Sequence, residues 1–302
     1  MSSDRALPAI GFIGLGEAGS SLAAGLRSAG AARIAAFDIA WQSQDRGPQI
    51  REGAARSGTR LVDSPADLAG ASDVLFSAVT SSSSLDAARQ IAPFLRPRQI
   101  YADLNSVSPA LKRQIASVIA GTGAGFVEAV VMAPVLPYGH RVPMLLGGGA
   151  AAERFATTFA PAGMRFEVLQ GPVGTAAAVK MCRSIVVKGL EALLCECVLG
   201  ASHFGADAHV FRSLQESYPG IDWTKLASYA MARVVVHGER RAREMEEVAE
   251  TLRAAGVEPI MAAATARRQD WSAQLGLRSH FGPEGPATYG EVLDVLARNS
   301  PW

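Results

Sequence analysis

The sequence predicts an α/β protein: a doubly wound N-terminal domain and an all-α C-terminal domain, joined by a long helix. Three observations lead there. Strand-like and helix-like segments alternate through the first half of the chain, as in parallel crossover units. A glycine pattern, Gly14, Gly16 and Gly19, closes the first strand and opens the first helix. Beyond Gly171-Pro172 the helical periodicity continues with almost no strand signal, which sets expected domains of 1–171 and 172–302. The 302 residues suit two domains at about 150 residues each.

The elements follow in order. Ile10–Gly14 reads as a strand, Ala18–Ala29 as a helix and Arg33–Asp38 as a second strand. Asp73–Val79 is a further strand, followed by a helical stretch, Leu85–Leu95. Gln99–Asp103 is a strand, and Pro109–Ala120 a helix with Ser108 as N-cap and proline at its first position. Gly125–Val131 and Pro143–Leu146 read as later strands. Val173–Gly200 runs as one helix of up to about 28 residues, apolar nearly all round and therefore expected to be buried. Trp223–Val236 continues helically to Glu250, and Pro259–Leu275 and Tyr289–Arg298 are the last helices, with a Gly/Pro loop at Gly282–Pro286.

Composition narrows the function. Lys+Arg is 29 against 28 Asp+Glu, a net charge of +1, so no basic excess points to nucleic acid or to an acidic membrane surface. The hydrophobic set is 49% of the chain although only 7% is aromatic, so the excess is small and aliphatic. It fits a large core, a large subunit interface, or both, and predicts a homodimer. No apolar stretch approaches the ~20 residues of a membrane helix, and Met1 to Pro8, with Asp4 and Arg5, does not read as a secretory signal. Three cysteines (Cys182, Cys195, Cys197) and five histidines show no disulfide framework and no metal-ligand spacing, so no metal is expected and the location expected is cytoplasmic.

The glycine loop carries the first chemistry. Its segment runs Gly14-Leu15-Gly16-Glu17-Ala18-Gly19. Gly14 permits a tight turn, Gly16 lets the backbone approach a pyrophosphate, and Gly19 lets helix and strand pack closely. The helix N-terminus supplies N–H groups and a partial positive charge. Asp38, 19 residues beyond Gly19, ends the second strand and is placed to bind the adenosine ribose hydroxyls. A carboxylate there would repel a 2′-phosphate, which favours NAD over NADP. Arg46 lies close enough in sequence to accept that phosphate if the loop folds back, so NADP stays open. Val79 and Thr80, at the end of a later strand, meet the dinucleotide, while Ser81–Ser84 reads as a polar loop and cap.

On the long helix, Lys180, Ser184, Lys188, Glu191 and Cys195 fall at roughly 0°, 40°, 80°, 20° and 60°. Arithmetic alone makes this polar stripe a solvated face. The Gly-rich approach with GPVGTAAAVKMCRS, together with the N-terminal half, resembles the β-hydroxyacid dehydrogenase family that also contains 6-phosphogluconate dehydrogenase. The resemblance covers most of the chain. It implies a Rossmann-type first domain, a small-molecule substrate and a lysine facing the nicotinamide, which Lys180 matches. Lys180 would then be the acid and base of hydride transfer, its pKa lowered by burial and by Lys188 on the same stripe.

The other family motifs are partly kept. Asp103-Leu104-Asn105-Ser106 resembles the family's Asp-x-Ser-Thr, and Asn105 and Ser106 would contact substrate or nicotinamide. Phe126 to Val135 is similar to the family's DAPVSGG region and brings Met132 to the substrate side, but the carboxylate-binding Ser-Gly-Gly gives way to Leu136–Arg141. That change predicts a substrate other than a simple small β-hydroxyacid. Ser184 stands where the family has Asn, and Val187 where decarboxylating relatives carry an acid, which disfavours decarboxylation. The run from His237 to Met245 is similar to a branch with a His-Gly-x-Arg-Arg and Glu-Met pattern. His237, Arg241 and Glu244 share a helix face, which reads either as substrate contact or, as charge runs usually do, as a basic surface with local ion pairs. Two alternatives to a dehydrogenase remain: an imine reductase, against which Lys180 argues, and a non-catalytic dinucleotide sensor or scaffold.

Overall fold

The computed structural model describes residues 6–282 and 284–299. Residues 1–5, part of the segment read above as no secretory signal, lie outside the described residues. The protein divides into two compact units, one ending at Lys180 and the other beginning at Met181. The division falls inside a helix, nine residues later than the point after Gly171 where the strand signal stops.

The first unit is built on one sheet. Strands β1 (Ile10–Ile13), β2 (Ile34–Phe37), β3 (Arg60–Leu61), β4 (Val74–Ser77), β5 (Ile100–Asp103), β6 (Gly125–Val131), β7 (Pro143–Gly147) and β8 (Arg165–Val168) lie in the order β3-β2-β1-β4-β5-β6-β7-β8. The helices of this unit are α1 (Glu17–Ser28), α2 (Gly47–Ser57), α3 (Pro65–Ala71), α4 (Ser84–Ile91), α5 (Pro109–Ala120) and α6 (Ala150–Phe159). All four residues of β1 and of β4 are buried, as strands covered on both faces should be. Neighbouring residues serve opposite layers: Phe76 packs with Phe12, Phe155 and Phe159, while Leu75 packs with Tyr101, Ile115 and Ile119.

One departure concerns direction. β1 to β6 are parallel, but β7 pairs antiparallel with β6, and β8 follows β7 in parallel. The segment between β6 and β7 holds only a 3-10 turn at Gly139–Arg141 and no helix to carry the crossover that a parallel β7 would need. Several elements also went unassigned in the sequence reading: α2, β3, α3, α6, β8 and, in the second unit, the helix Asp207–Ser217. β3 has two residues, too few for a period, and α3 is a single short helix capped by Ser64, which accepts from the Asp67 N–H.

The second unit is helical. α7 (Thr175–His203) starts in the sheet unit, and α8 (Asp207–Ser217), α9 (Trp223–Ala254), α10 (Ile260–Gln274) and α11 (Tyr289–Asn299) follow. Asp222 caps α9 by accepting from the Lys225 N–H at 2.9 Å. α9 and α10 approach closely at Gly238, where a Cβ would come 2.3 Å from the Gln269 carbonyl oxygen. The core joins Cys195 and Val198 of α7 to Met231, Val234 and Val235 of α9 and Val292 of α11. No described helix is long and apolar enough to cross a membrane.

α7 reverses what its composition suggests. Its polar residues Lys188 and Glu191 are buried, as is Cys195, whereas Val186, Leu190 and Leu193 are 70%, 37% and 57% exposed in the single chain. The solvated-stripe reading is therefore wrong for these residues. α9 supplies the reason, because it presents charges of the opposite sign to Lys188 and Glu191.

Candidate active site

Parallel strands align their carboxyl ends, and the order β2-β1-β4 makes a switch point at β1, because the connection leaving β1 goes one way and later strands add on the other side. The loop after β1, Asp38 after β2, Val79 after β4, Asn105 after β5 and Met132 after β6 thus share one edge of the sheet. The sequence reading selected these positions from five separate places in the chain.

The glycine loop is shaped from within. Gly14 has φ +84°, and a Cβ there would lie 2.6 Å from the Ala78 carbonyl oxygen. A Cβ on Gly19 would lie 2.5 Å from the Gly14 carbonyl oxygen. Gly16 differs: a Cβ there meets no atom within 4 Å. Its missing side chain relieves no contact inside the chain and keeps clear the space a pyrophosphate would enter. No side chain caps α1 at Gly16, so the first-turn N–H groups of Glu17 and Ala18 have no side-chain acceptor. Open space and uncommitted donors together fit a dinucleotide phosphate.

Asp38 is buried and already engaged. One carboxylate oxygen accepts from the Leu15 N–H and the other from the Ala40 N–H, both at 2.9 Å. It therefore holds the glycine loop in register, and each oxygen retains a second lone pair for a ribose hydroxyl. Arg46 lines a groove of about 510 Å³ with Gly16, Glu17, Ser20 and Gln49, which brings it to the loop as the sequence reading required for a 2′-phosphate contact.

Asn105 is a brace. Its side-chain oxygen accepts from the Val79 N–H at 2.8 Å, and its amide donates to Ser77 Oγ at 3.0 Å and to the Asp103 carboxylate. Asp103 also accepts from Lys112 Nζ at 2.8 Å, with both side chains fully buried. The network ties the end of β4 to the end of β5 and so fixes Val79, half-buried, and Thr80, exposed. Ser106 is exposed beside it. The Leu136–Arg141 loop turns back on α1, with the His140 ring buried against Gly25 and within hydrogen-bond distance of the Ala162 carbonyl at 2.9 Å.

The most informative residue had no role in the sequence reading. Glu128, fully buried in the middle of β6, accepts from the Gly174 N–H at 2.7 Å and from the Ala177 N–H at 2.8 Å. It caps α7 from the sheet, and Gly147 leaves the room for it, since a Cβ there would lie 2.8 Å from the carboxylate. Lys180 follows Ala177 by less than one turn, so its backbone is fastened to the sheet. No local pattern links a mid-strand acid to a helix 46 residues away, which is why this residue was missed.

Ser184 is half-buried one turn beyond Lys180. Lys188 pairs with Glu244 at 2.6 Å, so its charge is balanced and it is not an isolated cation acting on Lys180. Burial lowers the Lys188 pKa, and the carboxylate partly offsets this. Burial also pushes Glu244 up, but Lys188, Arg240 and Arg241 outweigh it and leave its pKa below the ordinary value. Arg241 is buried and pairs with the buried Glu191. The basic-surface reading therefore holds only for local pairs such as Arg243 with Glu239 at 2.7 Å. Among the described residues, no group of three His, Cys, Asp or Glu side chains is placed to hold a metal ion.

Comparison with known proteins agrees with this geometry. Residues 9–163 match the family described as "NAD binding domain of 6-phosphogluconate dehydrogenase", and residues 201–272 match "Domain of unknown function (DUF1932)". A solved structure of a conserved hypothetical protein from Sinorhizobium meliloti is 35% identical, with 97% of each chain covered and a TM-score of 0.81. The mitochondrial 3-hydroxyisobutyrate dehydrogenase of Drosophila melanogaster is 26% identical over 226 residues, 74% of this chain and 67% of that protein. The Mycobacterium tuberculosis 3-hydroxyisobutyrate dehydrogenase, solved with L-serine, shares the fold at 19% identity, covering 96% of this chain and 99% of that one with a TM-score of 0.73.

Proposed function

The chain belongs to the family of the 6-phosphogluconate dehydrogenase NAD-binding domain, and from that premise we propose that it is an NAD-dependent dehydrogenase or reductase acting on an alcohol or carbonyl substrate, with Lys180 as acid and base. The observation that carries this reading is the Glu128 cap on α7, because it fixes the turn bearing Lys180 to the sheet whose carboxyl edge bears the glycine loop. Gly14 to Gly19, Asp38, Val79 and Thr80 would hold the dinucleotide. When bound, nicotinamide accepts or gives the hydride. In oxidation Lys180 Nζ takes the hydroxyl proton as the hydride leaves the carbon, and in reduction it returns that proton to the carbonyl oxygen. Ser184, Asn105 and Ser106 are proposed to position the reacting oxygen or the nicotinamide, Asn105 through its hold on Val79, and Met132 to contact the substrate.

Asp38 supports NAD as the cofactor, while Arg46 beside Gly16 supports NADP as the second reading. The Leu136–Arg141 loop supports a substrate larger than a simple β-hydroxyacid. The exposed α7 residues Val186, Leu190 and Leu193 support a homodimer. The named relative from Drosophila melanogaster favours a hydroxyacid-like alcohol in the first substrate panel.

The test is Lys180→Ala, assayed by NADH absorbance against a panel of alcohols, hydroxyacids and imines. Turnover should fall by about 10²–10⁴-fold with NADH binding retained. Full activity in the variant removes the lysine from the mechanism. NADH binding by the wild type with no turnover on the whole panel favours the sensor, and turnover of imines alone favours the imine reductase.

A further inference from the structure

α9 carries a row of cations that its ion pairs do not exhaust. Arg233, His237, Arg241 and Glu244 recur every three or four residues, and Arg240 lies beside them on the same face of the helix. Arg241 is taken by Glu191, and Glu244 is shared between Lys188 and Arg240. Four cations (Lys188, Arg233, Arg240 and Arg241) thus stand against two carboxylates (Glu191 and Glu244). Arg233 is left over. It is half-buried, its Nε is buried with no hydrogen-bond partner, and it forms no ion pair among the described residues. A partly desolvated guanidinium that no carboxylate pairs directly, with only the Glu191 charge nearby and that one already engaged by Arg241, is unfavourable, and an anion joining it would relieve this.

We propose that this face of the helical unit binds a small oxyanion, a carboxylate or phosphate group, held by Arg233 and His237 with Arg240 beside them. His237 suits that role. Burial and the guanidinium groups of Arg233, Arg240, Arg241 and Arg278 push its pKa down to about 4. Arg278 comes from the 3-10 turn Leu277–His280 and donates to the Gly282 carbonyl at 2.8 Å. The other charged groups around the cluster are Lys188 and Glu191 of α7 and Glu244 of α9. At neutral pH His237 is therefore an uncharged imidazole with one N–H to give. A bound anion counters the positive charge that Glu191 and Glu244 leave unbalanced and raises that pKa, so anion and proton uptake reinforce each other. The inference gives a chemical class to the ligand of the helical unit, and it rests on the dehydrogenase reading only for that ligand being a substrate.

The test uses inorganic phosphate and malonate as separate probes, each against chloride at equal ionic strength. Calorimetry should show saturable binding of at least one probe at one per chain. Phosphate alone marks a phosphorylated ligand, and malonate alone a carboxylate. The His237 ring, assigned in NMR spectra by loss of its signal in His237→Asn, should titrate about one pH unit or more higher with the probe bound. Arg233→Met should weaken binding about tenfold or more and, in chloride, be at least as stable as the wild type, because it removes an unpaired charge. The proposal is overturned by no saturable binding of either probe, by equal affinity in Arg233→Met, or by clear destabilisation of that variant in chloride. Conversion of a dimer to monomer by Arg233→Met with no anion effect also overturns it and assigns the charge to a subunit contact. Neither readout needs cofactor or turnover, so failure here leaves the Lys180 test standing.

Discussion

In the sheet unit Asp38 and Glu128 accept hydrogen bonds from backbone N–H groups, whereas in the helical unit Glu191 and Glu244 are held by other side chains. Gln99 follows the sheet pattern, linking the Arg96 N–H to the carbonyls of Ala69 and Ser72. Gln269 in the helical unit donates to Glu191 at 3.3 Å and to the Lys188 carbonyl at 3.5 Å, while its side-chain oxygen finds no partner. Among the described residues, the buried side-chain polar atoms that lack a hydrogen bond belong to Ser202, Trp223, Arg233, Arg241, Arg268, Gln269 and Ser272 in the helical unit, and to Tyr101 alone in the sheet unit. The difference has a simple origin. Strand ends and loops leave backbone groups free for a buried side chain, while long helices satisfy theirs internally except in the terminal turns. A helical unit must therefore balance buried charge with charge, and the balance is incomplete on α9.

This contrast can be broken by mutation. The largest effect should come from Arg241→Met, which strands the buried Glu191 carboxylate and should destabilise by about 3–5 kcal/mol in urea unfolding. Adding Glu191→Leu should restore most of that loss, because the pair is removed as a whole. No recovery in the double variant would mean that the pair is not self-contained. Next comes Glu128→Gln in the sheet unit, which turns an NH₂ group toward a backbone N–H of α7. The expected loss is about 1–3 kcal/mol. A second side-chain change should not restore it, since the partners are backbone groups, and a compensating side chain would erase the distinction between the units. The smallest effect on the chain's own stability, within about 0.5 kcal/mol, should come from Val186→Glu with Leu193→Glu on the exposed side of α7. There the readout is assembly. Solution scattering should give a dimer for the wild type and a monomer for the variant, and a wild-type monomer at micromolar concentration removes the proposed interface.

The contrast also explains what could be read in advance. The α/β class, most of the strands and the five positions at the carboxyl edge were legible, because each depends on a short-range signal: a period of two, a Gly spacing, an acid at a strand end. The antiparallel turn at β7 was not, since its cause is a connection without a crossover helix rather than a residue type. Glu128 and Lys112 were equally invisible. A lone acid within an apolar strand, or a lone lysine in an amphipathic helix, has no periodic partner to mark it: Glu128 depends on backbone groups more than 40 residues away, and Lys112 on a carboxylate nine residues back in a different element. α7 misled in a different way, because hydrophobic arithmetic counts residues and cannot tell which face is turned inward.

By itself, then, the sequence determined the glycine loop, the doubly wound sheet and the change to helices after Gly171 through patterns that act over a few residues, while the candidacy of Lys180 came from the family resemblance. Only the tertiary structure decided that Asp38 braces the loop it serves, that Glu128 fastens α7 to the sheet, and that Lys188 and Glu191 point inward toward α9. The reason is physical. Backbone geometry and side-chain periodicity are local, but the neutralisation of a buried charge depends on which distant groups folding brings within about 3 Å of it.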